Sequence, residues 1–201
     1  MTVLPVTHPR SVLPLVVLVA LPALVLAGIG TVHPRDLVAA DAVLWRNIHV
    51  AALFVFPLLG VPPWLLLRGR SRPLAAVAAI LGYVYAAGYT ALDVLAGIGA
   101  GNLKVDGLGG QPSLYHPAAV LARVATVALL LAVLLAVAVV AVDRPALSVP
   151  GSVLVLAAAV SFLTSHIYPP RGVVTMVVFA IGWTLLVLGA AAGRSRLPGA
   201  H

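Results

Sequence analysis

Six long apolar runs, set apart by short polar clusters, dominate the sequence. A bilayer's hydrocarbon core is about 30 Å thick and takes roughly 20 residues of helix to cross. No water is available there, so every backbone N–H and C=O must be satisfied within the protein. The runs fall at about residues 12–30, 43–67, 74–99, 117–142, 149–167 and 173–192. They are continuous in Leu, Val and Ala and lack the alternation of a barrel strand. The sequence therefore predicts an all-α, polytopic membrane bundle of six transmembrane helices, forming one domain over residues 1–201. Only 8% of the residues are charged, against about 25% in an ordinary soluble domain, which is too few for water to be the main solvent.

Basic residues orient the bundle, because positive charge accumulates on the cytoplasmic side. Arg10 precedes the first run, and Arg68, Arg70 and Arg72 fill the link between the second and third. Arg144 follows the fourth, and Arg194 and Arg196 follow the sixth. Alternating crossings put all of these on one side, so both the N- and C-termini are expected in the cytoplasm. The excess of 12 Lys and Arg over 5 Asp and Glu is thus a topology signal and not a nucleic-acid surface. The first run shares features of a signal peptide, with Arg10 ahead of it and Ala27, Gly28 and Gly30 at its end. Its apolar stretch is long for a signal core, and removing it would break the even helix count, so a retained helix is expected. The cell membrane follows as the compartment. An Ala- and Val-rich, Lys-poor composition points to a bacterial inner membrane.

Punctuation within the runs adds detail. Pro57 and Pro62-Pro63 lie inside the second run and predict a kink. The glycine-rich link 101–116 reads as the longest outer loop and as mobile. The glycines at 97, 99 and 101 follow a membrane helix without a βαβ setting, so they read as close packing or a flexible helix end, not as a nucleotide loop.

The ionisable residues outside the cytoplasmic arginines gather in the outer half, which implies a site there. Tyr85, Tyr89 and Asp93 follow i, i+4, i+8 spacing and share one helix face. Asp93 is the acid that lies well inside an apolar run. Arg123, about two turns into the fourth run, is its natural counterion, because a charge within a membrane is costly unless paired or hydrated. His49, His116 and His166 come from three different helices at depths that could converge with Asp93. Three imidazoles and a carboxylate suit a transition metal such as zinc, copper or iron, and two imidazoles from facing helices could ligate haem. His33, in the first outer loop, could join from above. Taken singly, each histidine also fits a hydrogen-bonded residue at a helix end. Zero cysteines exclude thiolate sites and disulfides.

No H-E-x-x-H, Walker loop or G-x-S-x-G elbow occurs, so the function classes rest on the placement of these residues. The first is a metal- or haem-binding redox protein, linked to quinone or another lipophilic molecule. Its ligands would be His49, His116 and His166, with Asp93, Arg123 and Tyr89 tuning charge or moving protons. The second is a small-molecule or proton-coupled transporter or channel subunit gated at Asp93 and Arg123. The third is an assembly or structural subunit without catalysis, acting as a homo-oligomer or with a membrane partner.

Overall fold

A computed structural model describes residues 12–141 and 145–194. Among the described residues all regular structure is helical: α1 (Leu13–Thr31), α2 (Ala42–Ala52), α3 (Val61–Leu67), α4 (Arg72–Leu92), α5 (Ala100–Val105), α6 (Gln111–Val140), α7 (Pro145–Ser165) and α8 (Arg171–Arg194). A π-helical segment, Asp93–Gly99, fuses α4 to α5. Five stretches are long and apolar enough to cross a membrane, and a sixth exists if the bent pair Ala39–Ala52 and Phe56–Leu67 crosses as one. Arg10, Arg144 and Arg196, on which the expected orientation partly rests, lie outside the described residues, as does the end of the fourth expected run at 142.

Proline placement explains most of the boundaries. Pro14, Pro73 and Pro112 sit in the first turns of α1, α4 and α6, where a missing N–H removes no helical bond. Ser71 caps α4 by accepting from the Leu74 N–H at 3.5 Å. The expected kink in the second run is present: α2 stops at Ala52, a 3-10 turn spans Phe56–Gly60, and the two halves are bent by 42°. The expected long outer loop is much shorter than the sequence suggests. The third span runs on through Val105 and α6 begins at Gln111, with Gly107 and Gly110 at positive φ making the turn between them.

Close approach at small residues sets the register. A methyl group at Gly82 would lie 2.5 Å from the Gly60 carbonyl oxygen, and one at Gly101 would lie 2.9 Å from the Arg46 side chain. The bent pair of α2 and α3 therefore runs antiparallel to α4 and α5, with Arg46 beside Gly101 at one end and Arg68 at the turn into α4 at the other. Between α7 and α8, a methyl group at Gly182 would lie 2.7 Å from Val155, and one at Gly151 would lie 3.0 Å from the Gly182 oxygen. Membrane helices associate through such small-residue contacts, since lipid tails offer no hydrophobic drive for pairing. Outward faces stay apolar, as at Leu18, Leu21, Ile80, Val153 and Ile181.

Candidate metal centre

Three histidines meet at the end of the bundle away from the Arg68 turn. His33, His49 and His166 each offer a ring nitrogen, and these nitrogens lie within 4.8 Å of one another. His33 and His49 are 3% and 2% exposed, while His166 is partly buried.

Each arrives by a distinct local device. A methyl group at Gly30 would lie 2.5 Å from the Ile167 carbonyl oxygen, so glycine lets the end of α1 press on the turn after α7. That contact brings His33, just past α1, to 5.6 Å from His166 between ring centroids. His49 projects from α2 against the π-helical segment, where any side chain at Gly97 would overlap its ring. Trp45, one turn earlier, donates from Nε1 to the Ala96 carbonyl at 3.1 Å and locks α2 to the same segment. Single π turns inside α-helices are frequent at functional sites. His166 follows the last residue of α7 with φ +44°, a left-handed position usually filled by glycine. A side chain there costs about 1–2 kcal/mol, and the turn points the ring back into the bundle.

Hydrogen bonds fix which nitrogens are free. His33 Nδ1 lies 2.6 Å from the Pro34 carbonyl oxygen and His49 Nδ1 lies 2.8 Å from that of Trp45. A carbonyl only accepts, so both Nδ1 atoms carry the proton and both Nε2 atoms carry the lone pair. His33 Nε2 is buried without a hydrogen-bond partner among the described residues. His166 Nδ1 lies 2.6 Å from the Tyr89 hydroxyl. Metal-ligating histidines almost always anchor the non-ligating nitrogen in this way. Burial, and then the neighbouring His49 and His33, hold the His166 imidazole well below its ordinary range. Burial likewise lowers His33, against the raising effect of its bond to Pro34. Both rings thus favour the neutral form that a metal requires.

Aromatic side chains form the floor. Phe56 lies 5.4 Å from His166 and 4.5 Å from Tyr89, and Phe162 stacks on Tyr89 at 5.1 Å. To one side a cavity of about 630 Å³ opens, bordered by His49, His166 and Tyr89 and walled by Trp45, Tyr115, Ala119, Arg123, Phe162 and Tyr168, with Arg35 and Asp36 also on its lining.

The cluster differs from the expected one in two members, His116 and Asp93. His49 and His166 come together, but His116 is exposed on α6 and His33 takes its place. The reason is the earlier start of α6. Tyr115, Ala119, Ala122 and Thr126 make its cavity-facing side, and His116 falls at the edge of that face. Asp93 is fully buried, with Tyr85 and Tyr89 on the expected shared face, but it is not one of the clustered ligands. Its two carboxylate oxygens have no hydrogen-bond partner among the described residues. The expected pairing of Asp93 with Arg123 is not formed: Asp93 faces the interior, while Arg123 stands exposed on the cavity wall. The glycine run 97–101 proves to be close packing, against His49 and Arg46. His33 and Tyr168 carry little sequence signal. The usable clue to His33 is Gly30, which permits the tight approach that places it.

The sequence matches no protein-family model, and no curated protein or solved structure matches it.

Proposed function

We propose that this chain is a six-span protein of the cell membrane, with both termini cytoplasmic, that binds one transition-metal ion at its outer end through His33, His49 and His166. The observation that carries this reading is the set of three buried or half-buried imidazoles, each with Nδ1 at hydrogen-bond distance from an oxygen, the carbonyl partners of His33 and His49 leaving their Nε2 lone pairs for a ligand. An all-nitrogen set suits zinc, copper, iron or nickel in preference to magnesium or calcium. Zinc–nitrogen bonds of about 2.0–2.1 Å in a tetrahedral set place ligand nitrogens about 3.4 Å apart, so separations of up to 4.8 Å close by as much as about 1.4 Å when the ion binds. Three protein ligands leave a coordination position for water or substrate, as in catalytic zinc sites, and the adjoining cavity gives that position room.

A single ion is better supported than haem. Two axial imidazoles need an empty slab between them for the macrocycle, and His33 stands 5.0 Å from His49 and 5.6 Å from His166. The reading supports metal-dependent chemistry, redox or hydrolytic, on a lipophilic molecule such as a quinone. Titration of detergent-purified protein with Zn²⁺ and Cu²⁺ is the test. One equivalent bound in the wild type, with affinity reduced more than about 100-fold in each of His33→Ala, His49→Ala and His166→Ala, is expected, because changes to the supporting shell alone cost 10–100-fold. Absence of stoichiometric binding, or binding insensitive to these changes, refutes the centre.

The Asp93 carboxylate, without a hydrogen-bond partner among the described residues, supports a second reading, a proton-coupled transporter. Substrate or proton uptake into proteoliposomes, lost in Asp93→Asn and kept in His49→Ala, would select it.

A further inference from the structure

The cavity beside the histidines carries a feature that a metal ion leaves unexplained. Arg123 lies twelve residues into α6, about 18 Å along its axis, and its side chain is exposed on the cavity wall. Among the described residues, no acid or carbonyl pairs with its guanidinium. An arginine within a spanning helix is tolerated when it has an anionic partner or reaches water, and the acid expected to serve it, Asp93, does not. Arg35 adds a second base to the same wall, against the one acid Asp36. The rest of the wall is mixed: Thr126 and Thr164 add hydroxyls, while Phe162, Leu92, Ala119 and Ala122 supply an apolar part.

We infer that this cavity binds an amphiphile whose anionic group, a phosphate or carboxylate, is held by Arg123. Its apolar part lies along Phe162 and the alanines of α6, which sets the bound molecule beside His49 and His166. Guanidinium is suited to this task because its planar fork donates two parallel hydrogen bonds to either anion. The inference names the substrate class of the centre proposed above and rests on that reading for its catalytic meaning, whereas binding itself needs no metal.

The test is calorimetric titration of the full chain, in neutral detergent, with dihexanoyl phosphatidate below its micellar concentration. Dihexanoyl phosphatidylcholine, decanoate and inorganic phosphate serve as comparison probes, and the wild type, Arg123→Gln and Arg123→Lys are compared, each with and without EDTA. The expected result is saturable binding of phosphatidate and decanoate, weakened at least about tenfold in Arg123→Gln and less in Arg123→Lys. Protein treated with EDTA should bind the probe as untreated protein does. Equal affinity in the wild type and Arg123→Gln overturns the inference. So does inorganic phosphate binding as tightly as the amphiphiles, which would mark a site for free anions, or phosphatidylcholine doing so, which would mark a general lipid groove. Should Arg123→Gln not fold, the comparison of phosphatidate with phosphatidylcholine in wild type and Arg123→Lys decides. Arginine-dependent probe binding without stoichiometric metal would refute the metal centre and leave the anion site standing, and the reverse pattern would do the opposite.

Discussion

The histidine end of the bundle and the seam between α7 and α8 are built from the same apolar sequence by opposite means. Along the seam the helices are regular, and contact is made by subtraction: Gly151, Gly182 and Gly189 remove side chains so that backbones meet. At the histidine end regularity is given up. There the chain uses a 3-10 turn at Ala39–Asp41, a π-helical segment and a left-handed residue, and fills the space with imidazole, indole and phenol rings. The difference teaches that a membrane bundle can hold irregular backbone where it is covered by protein, and that departures from helical geometry gather where polar side chains must converge. Residues in the seam are there for packing, and those at the histidine end are placed at a conformational cost that packing alone does not explain.

Substitutions should separate the two regions. The largest effect expected is at the seam, where Gly182→Leu forces a side chain into Val155 and the Gly151 backbone. Overpacking of this kind costs about 1–3 kcal/mol, and a lower thermal midpoint in detergent should report it, while the folded fraction still binds one metal ion. If the metal were lost with no change in midpoint, the two regions would not be separable in this way. Tyr89→Phe is the middle case. It removes the oxygen that anchors His166 Nδ1 but keeps the ring that stacks on Phe162, so metal affinity should fall roughly tenfold or more with the midpoint nearly unmoved. A large loss of stability in that variant would instead mark Tyr89 as a packing residue. The smallest effect is expected for His116→Ala, whose metal affinity should match the wild type within error. Any substantial loss would return His116 to the centre and displace His33.

Helical class and the approximate spans were legible because a run of some twenty apolar residues has one common solution in a bilayer. The prolines at 57, 62 and 63 also announced the break in the second span. The ends of helices were harder to read. Residues 101–105 look like the start of a loop by Gly101, Asn102 and Lys104, yet they continue a helix whose turn is delayed to Gly107 and Gly110. That shift moved the start of α6 back to Gln111 and with it the direction of His116. His49 and His166 were found because they stand in or beside apolar runs, where an ionisable group is conspicuous. His33 was only a possible addition from a loop, since nothing in periodicity places a loop residue in three dimensions. The pairing of Asp93 with Arg123 failed for a related reason: equal depth does not fix the direction in which a side chain leaves its helix.

The contact of Gly30 with the Ile167 carbonyl has a bearing on biogenesis. The three histidines are spread over positions 33 to 166, and His33 meets His166 where the end of the first helix presses on the turn between the last two. A chain inserted from its N-terminus therefore holds two of its three imidazoles ready long before the third is made. The cluster closes only after α7 has been threaded and its final turn docked on α1, so a completed metal site would serve as a chemical certificate that the whole bundle has been assembled.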